Sequence, residues 1–322
     1  MKLLPVPSPG RARVVTATLA LVAALLAVLP VPPAPAARAR ASTITLKRVA
    51  NPDRTLAYQD GRLIATFTLG ARSVTLAGAS RRFHESSASH AVTTTTWVRL
   101  LERPFAGRVD LTWLARARAD TSPDVLALGM QYVRSAPVVT DASGRRIAGD
   151  ASYGPLLADG TREEGSDFND YLDVTWDYGT TQDAAEARQL WSLDCSGFVR
   201  MVYGYRLGVP LSLQATAGAL PRRARDIASS GPGVVIVGDA GAQVTTFRSL
   251  AAGDLVFFDA AADDGTAIDH VGIYLGRDAA GHHRFLSSRK TPDGPTLGDE
   301  GARSVLDGTG YYARSFRAVR RL

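Results

Sequence analysis

A chain of 322 residues with 45% hydrophobic and 21% charged content has the composition of a globular protein, large enough for one medium domain and a smaller companion. Its single cysteine, Cys195, excludes an intramolecular disulfide scaffold, a cysteine-clustered zinc site and a CxxC redox pair, and five histidines leave few ways to build another metal site. The formal charge of +6 invites a nucleic-acid partner, but no basic stripe is interleaved with aromatics, and only three of the 37 basic residues are lysines, a bias typical of high-GC coding.

The first 36 residues hold Lys2, Arg11 and Arg13 and no acid, so their removal would leave a charge of +3. They read as a signal peptide: a positive start, an unbroken run of apolar residues and threonine from Val14 to Leu29, then the small-residue stretch Ala34-Pro35-Ala36-Ala37. The run is shorter than the roughly 18–20 residues a bilayer span needs. Export with cleavage near Ala36 is the expectation, with no membrane role beyond export, no nucleic acid and no resident cofactor or metal.

From 43 to 108 the chain alternates and is rich in β-formers, which predicts a small β-rich N-terminal module. Leu56 to Phe67 contains Asp60-Gly61 between two alternating runs, the signature of a two-residue hairpin turn. Strands are also expected at Val74–Leu76 and Val92–Leu101, and Ser122-Pro123-Asp124 opens a helix through about Val133. The second domain is placed at 122–322, with an acidic insertion at about 156–190. Within the insertion, Asp167 to Asp173 superficially suggests calcium, but it lacks the glycine and terminal glutamate of an EF-hand loop and reads as a solvated loop.

Ser192-Leu193-Asp194-Cys195-Ser196-Gly197-Phe198 sets the only thiol at a helix start, with Ser192 or Asp194 as N-cap. Helix amides and the positive dipole end there favour a thiolate and can stabilise an oxyanion. A free cysteine is commonly an inert core residue; the partner shifts the balance. His270 opens the strand His270–Gly276, downstream of the helix-borne cysteine, in the chain order of papain-type enzymes. Further strands are expected at Val234–Val237, Gln243–Phe247, Asp254–Phe258 and Arg284–Ser288, which with the helix at Arg222–Ser229 gives α+β with an antiparallel sheet. Counting pairs back from a hairpin flanked by Gly276 and Gly281 sets His270 opposite Ser287, a candidate to hold the ring; a register slip would offer Leu286 or Ser288. His283 is expected to be exposed with His282.

The segments Asp194–Phe198, Gly253–Phe258 and His270–Gly276, with Leu220-Pro221-Arg222 between them, resemble the NlpC-type (NlpC/P60) peptidases, papain-like bacterial cell-wall hydrolases. The resemblance covers roughly Pro123 to the C-terminus. It implies an NlpC-type domain with the nucleophile helix packed on an antiparallel sheet, Cys195 as nucleophile and His270 as base and acid. Asp194 and Ser196 then match positions that touch the free amine of a stem peptide. An upstream tyrosine serves the oxyanion site; Tyr153 and Tyr178 are the candidates, and Tyr153 is preferred. Two departures stand out: the family's third polar residue is usually His, Asn or Gln where this chain has serine, and the acidic insertion is long. The implied function is an exported, secreted or wall-associated cysteine endopeptidase acting on peptidoglycan peptides. Alternatives are an amidase or acyl transferase using the same dyad, or a catalytically decayed wall-binding protein.

Overall fold

A computed structural model of the chain describes residues 43–261 and 265–322. The expected export segment, 1–36, lies outside them. The first five strands form an antiparallel meander: β1 (Ile44–Val49), β2 (Arg54–Gln59), β3 (Arg62–Thr68), β4 (Ser73–His84) and β5 (Ala91–Leu100). Gln59 pairs with Arg62, and Asp60 and Gly61 turn the chain with φ of 50° and 79°, as a type I′ turn demands. Helix α1 (Leu111–Ala119), capped by the Asp110 carboxylate on the amides of Thr112 and Trp113, covers this sheet with Leu114 and Trp113 against Phe67.

Helix α2 (Val125–Gly129) ends in a 3₁₀ turn, Met130–Tyr132. Two short hairpins follow, β6 (Val139–Thr140) with β7 (Arg146–Ala148), and β8 (Trp176–Asp177) with β9 (Gln182–Asp183). Between them lies helix α3 (Phe168–Leu172). The acidic run Asp167–Asp173 is therefore helical: Asp167 and Asp170 form a capping box around α3. Helix α4 (Cys195–Val199) continues as a π-helical stretch over Arg200–Tyr205, and α5 is Ala224–Ser230.

The second sheet contains β10 (Val234–Val237), β11 (Leu255–Phe258), β12 (His270–Arg277), β13 (His283–Arg289), β14 (Gly294–Thr296) and, after α6 (Tyr311–Ser315), β15 (Phe316–Arg321). Its antiparallel order is β10-β15-β11-β12-β13-β14. Both faces of β11–β13 are buried. Val271, Ile273, Leu275 and Leu286 meet α2 and α4 on one side; Phe258, Tyr274, Phe285 and Phe316 form a separate cluster on the other. Gln243–Phe247, expected as a strand, is not one. Val244 makes a single main-chain bond to Phe316 O, and Phe247 instead lies over His283 with ring centroids 4.5 Å apart. His283 is accordingly buried, hydrogen-bonded through Nδ1 to the Tyr274 hydroxyl at 2.7 Å, rather than exposed beside His282.

The two sheets belong to one compact unit, Ser42–Leu322. Phe83, Val92 and Val98 of β4 and β5 join the same core as α2, α4 and β12. Asp124 links them further: its carboxylate caps α2 through Ala127 N at 3.0 Å, accepts Val98 N at 2.6 Å, and takes both terminal nitrogens of Arg81 at 2.6 and 2.5 Å. At Gly253, with φ of +88°, a Cβ would come within 2.8 Å of Val98, so this junction requires glycine twice over.

Candidate active site

Asp194 is the N-cap of α4. Its side chain accepts the Gly197 amide at 2.7 Å and thereby fixes the turn that presents Cys195. Arg222, from the stretch before α5, grips the same carboxylate at 2.7 and 3.2 Å and donates to the Ser196 hydroxyl at 2.8 Å. Burial alone would raise Asp194, but Arg222 and the amides of Gly197 and Gly165 hold it below the ordinary carboxylate range. Asp194 and Ser196 are thus brought together and committed to an internal network, in which Arg222 is a member that motif reading left without a role. Beneath it the fully buried Arg200 bonds Asp167 at 2.9 and 3.0 Å, the carbonyls of Ser212 and Leu220, and the Tyr178 hydroxyl. Tyr178, itself within the insertion, is consequently a structural partner of Arg200.

The Cys195 thiol lies against the main chain on either side of His270: Sγ is 3.8 Å from Asp269 O, and the Val271 amide faces it. Its pKa is pushed up, first by burial and then by the carboxylates of Asp194 and Glu164. Burial and these two anions thus oppose the thiolate that the helix start favours. Desolvation and two nearby anions outweigh a dipole expressed over a single short α-helical turn.

His270 begins β12 with its ring on the opposite face of the sheet from α4. It lies 5.7 Å from the Phe258 ring and 5.3 Å from that of Tyr312, and its Nε2 is 3.0 Å from Ser287 Oγ. Burial, and then the Arg289 charge, lower its pKa to about 3, so the imidazole is neutral. No hydrogen bond joins Sγ to this ring among the described residues.

Ser287 reaches His270 by a different route from the one counted on the sequence. Ile273 pairs with Leu286 and Tyr274 with Phe285, and a bulge between Tyr274 and Gly276 absorbs a residue. Carried toward the start of β12, this register sets Gly272 opposite Ser287 and His270 opposite Arg289. The contact from His270 to Ser287 is hence diagonal. Gly272 makes room for it: a Cβ there would lie 3.1 Å from Ser287 Cβ and 2.9 Å from Leu286 O. Ser288 points away and donates to Leu193 O.

Two cavities open on the site. One of about 490 Å3 contains Cys195, Asp194, Ser196 and Arg222; the other, about 670 Å3, contains His270, Arg289 and Tyr312. Tyr153, Glu164 and Asp269 line both. The buried Tyr153 hydroxyl is 3.4 Å from Glu164, and its pKa is raised above all by burial, which puts a protonated donor close to the thiol. Of the two tyrosines considered, Tyr153 is the one at the cleft. No group of three or more His, Cys, Asp or Glu side chains able to hold a metal occurs among the described residues, nor any helix long and apolar enough to cross a membrane.

Residues 174–297 match the model of the NlpC/P60 family. Among solved structures, the chain is similar to an NLP/P60-family lipoprotein-like protein of Staphylococcus aureus, at 19% identity over 68% of this chain and 50% of that one, with a TM-score of 0.30. It therefore spans about half that protein's length. It is also similar to NlpC1 of Trichomonas vaginalis (11% identity, 87% and 88% of the two chains, TM-score 0.31) and to an NlpC/P60 family protein of Bacillus cereus (15%, 87% and 79%, TM-score 0.26). No curated protein matches the chain. The span that matches the NlpC/P60 model, 174–297, holds Cys195, His270 and Ser287, and that family is generally one of cysteine peptidases.

Proposed function

We propose that the protein is an exported, wall-associated cysteine endopeptidase that hydrolyses peptide bonds in peptidoglycan stem peptides, with Cys195 as nucleophile and His270 as general base and acid. The observation that carries this reading is a helix-start thiol and a neutral histidine, its Nε2 beside Ser287, in two cavities that share the Tyr153, Glu164 and Asp269 wall. In the tautomer that donates Nε2–H to Ser287, Nδ1 is the nitrogen left to take the thiol proton. The thiol is neutral at rest, so proton transfer accompanies attack rather than preceding it. The thiolate adds to the peptide carbonyl, and the oxyanion meets the Tyr153 hydroxyl and the first amides of α4. His270 then protonates the leaving amine, and water, deprotonated by His270, releases the thioester.

A second reading, a wall-binding protein without turnover, draws on the raised Cys195 pKa and the absence of a direct bond from Sγ to the ring. Incubation of the mature protein with peptidoglycan fragments, followed by mass spectrometry of the products, separates the two. New free amino and carboxyl termini that vanish in Cys195→Ala establish hydrolysis; bound but intact fragments establish the second reading. An acyl group transferred to an added amine would instead indicate transferase chemistry.

A further inference from the structure

The cavity around Cys195 continues, on the side away from the imidazole, into a further groove of about 440 Å3. Arg225, Ala267 and Ile268 line both the thiol cavity and this groove, and no residue of the groove lines the cavity of His270. The groove is therefore reached from the thiol and not from the ring.

Its chemistry also differs from that of the thiol cavity. Ala228 of α5, Val235 of β10 and Ile268 line it, with Ala318 and Phe257 beneath them in the core that includes Cys195. Strand β10 stands at the edge of the sheet, and its Val235 is 51% exposed. A single exposed valine is unremarkable; one set among other apolar residues in a depression that opens on a nucleophile marks a place for apolar matter. The charged groups at the rim have partners already. Arg225 lies 3.8 Å from Asp226, Asp239 accepts the Gly241 amide at 2.8 Å, and Arg320 donates to the carbonyls of Ala228, Ser229 and Gly231. An ionic ligand would compete with those contacts, whereas an apolar one gains by leaving water. The volume is at the small end of ligand pockets, enough for a side chain.

We propose that this groove is an acyl-side specificity site, which takes an aliphatic side chain from the half of the substrate retained on Cys195. Attack by the thiol leaves the acyl half on Sγ while the amine departs from the imidazole side, so a groove joined only to the thiol cavity meets the acyl half. That direction rests on the peptidase reading above; the preference for an apolar chain does not. Acyl halves of small or acidic residues alone leave the groove to water, and an aliphatic residue fills it.

The test is alkylation at pH 9 by N-methyl, N-propyl, N-butyl and N-octyl iodoacetamide, each rate divided by that for glutathione. Cys195 is the only thiol in the sequence, so mass spectrometry reads one site. A fully buried methylene is worth about fourfold, so the rate should rise about ten- to fiftyfold from methyl to butyl, and octyl should add less than about threefold. Val235→Asp, at a half-exposed edge position, should cancel the rise while leaving the methyl rate within about twofold. Ala228→Leu, which fills the groove, should reduce the rise likewise. A rate independent of chain length overturns the proposal, with or without a folded variant, and so does a rise that survives in both variants. A rate that climbs a further tenfold or more to octyl overturns the side-chain assignment in favour of a fatty acyl chain. Alkylation needs no hydrolysis, so a chain-length preference in a protein that cuts no peptidoglycan fragment upholds the groove and refutes the peptidase reading. Cutting with a flat length series does the reverse.

Discussion

Replacing Ser287 by alanine removes one oxygen from a fully buried position and leaves His270 Nε2 facing nothing in place of an acceptor 3.0 Å away. A buried polar group left unsatisfied costs about 1–3 kcal/mol. If about 1–2 kcal/mol of that falls on the productive ring orientation, kcat/KM drops roughly five- to thirtyfold. KM should hardly change, because Ser287 lines neither cavity. The assay is hydrolysis of a stem peptide across a substrate range, with circular dichroism to confirm folding. Ser287→Asn is a sharper probe. Amide groups can orient a histidine, but here the added atoms must enter the space kept open by Gly272, so activity should fall below that of Ser287→Ala despite the better acceptor. A folded Ser287→Ala with unchanged kcat/KM would refute the claim that Ser287 orients the ring, and an Asn variant more active than the wild type would refute the packing argument.

Asp124→Ala deletes a buried partner of Arg81 together with the α2 cap, and should lower stability by about 3–5 kcal/mol, read as a shifted urea midpoint; Asp124→Asn, which keeps an acceptor, should lose less. Glu164→Gln removes one of the two anions that oppose thiol ionisation, so iodoacetamide should alkylate Cys195 faster at pH 8, with the rate profile moved to lower pH. His270 has a native pKa depressed to about 3, so between that value and its unfolded pKa of about 6.5 the unfolded chain holds the extra proton. Its contribution to stability is complete above that window and lost as pH falls through it, by up to about 1.4 kcal/mol per pH unit. Urea midpoints from pH 7 to pH 4 should therefore decline more steeply for the wild type than for His270→Asn; parallel declines would contradict the burial of a neutral ring.

What was legible in the sequence was local. Asp60-Gly61 announced its turn because the strand twist demands two positive φ values, and Asp194 announced its cap because the amides of α4 need an acceptor. What escaped depended on distant chain segments. The β12–β13 hairpin closes with Arg277 opposite His283 and its bulge then shifts the register by one, so the pairing lies two residues from the counted one, and only the diagonal reach of a histidine makes the residue the same. Strand β15 was unreadable because Arg320 and Arg321 break its apolar pattern; both are buried, bonded to carbonyls at the end of α5 and to Asp254 respectively. Much of the arginine content attributed to coding bias thus has structural work: Arg200, Arg222 and Arg284 each tie three or more groups together across the core. The resting protonation of Cys195 was likewise out of reach, since it follows from burial and from Glu164, 31 positions upstream.

The core shared by β4, β5 and α2 bears on how the protein can be handled and how it can evolve. A sheet tethered by a linker can be exchanged between enzymes and can sample many orientations while its catalytic neighbour works. Here Val98, Asp124 and Gly253 form a seam that cannot be cut without exposing apolar surface on both sides. A fragment beginning after residue 108 should be insoluble or molten rather than a minimal peptidase. Whatever surface the meander offers to the outside is also held at one fixed bearing to the cleft, so a ligand held by the first sheet would set the angle at which substrate approaches the second.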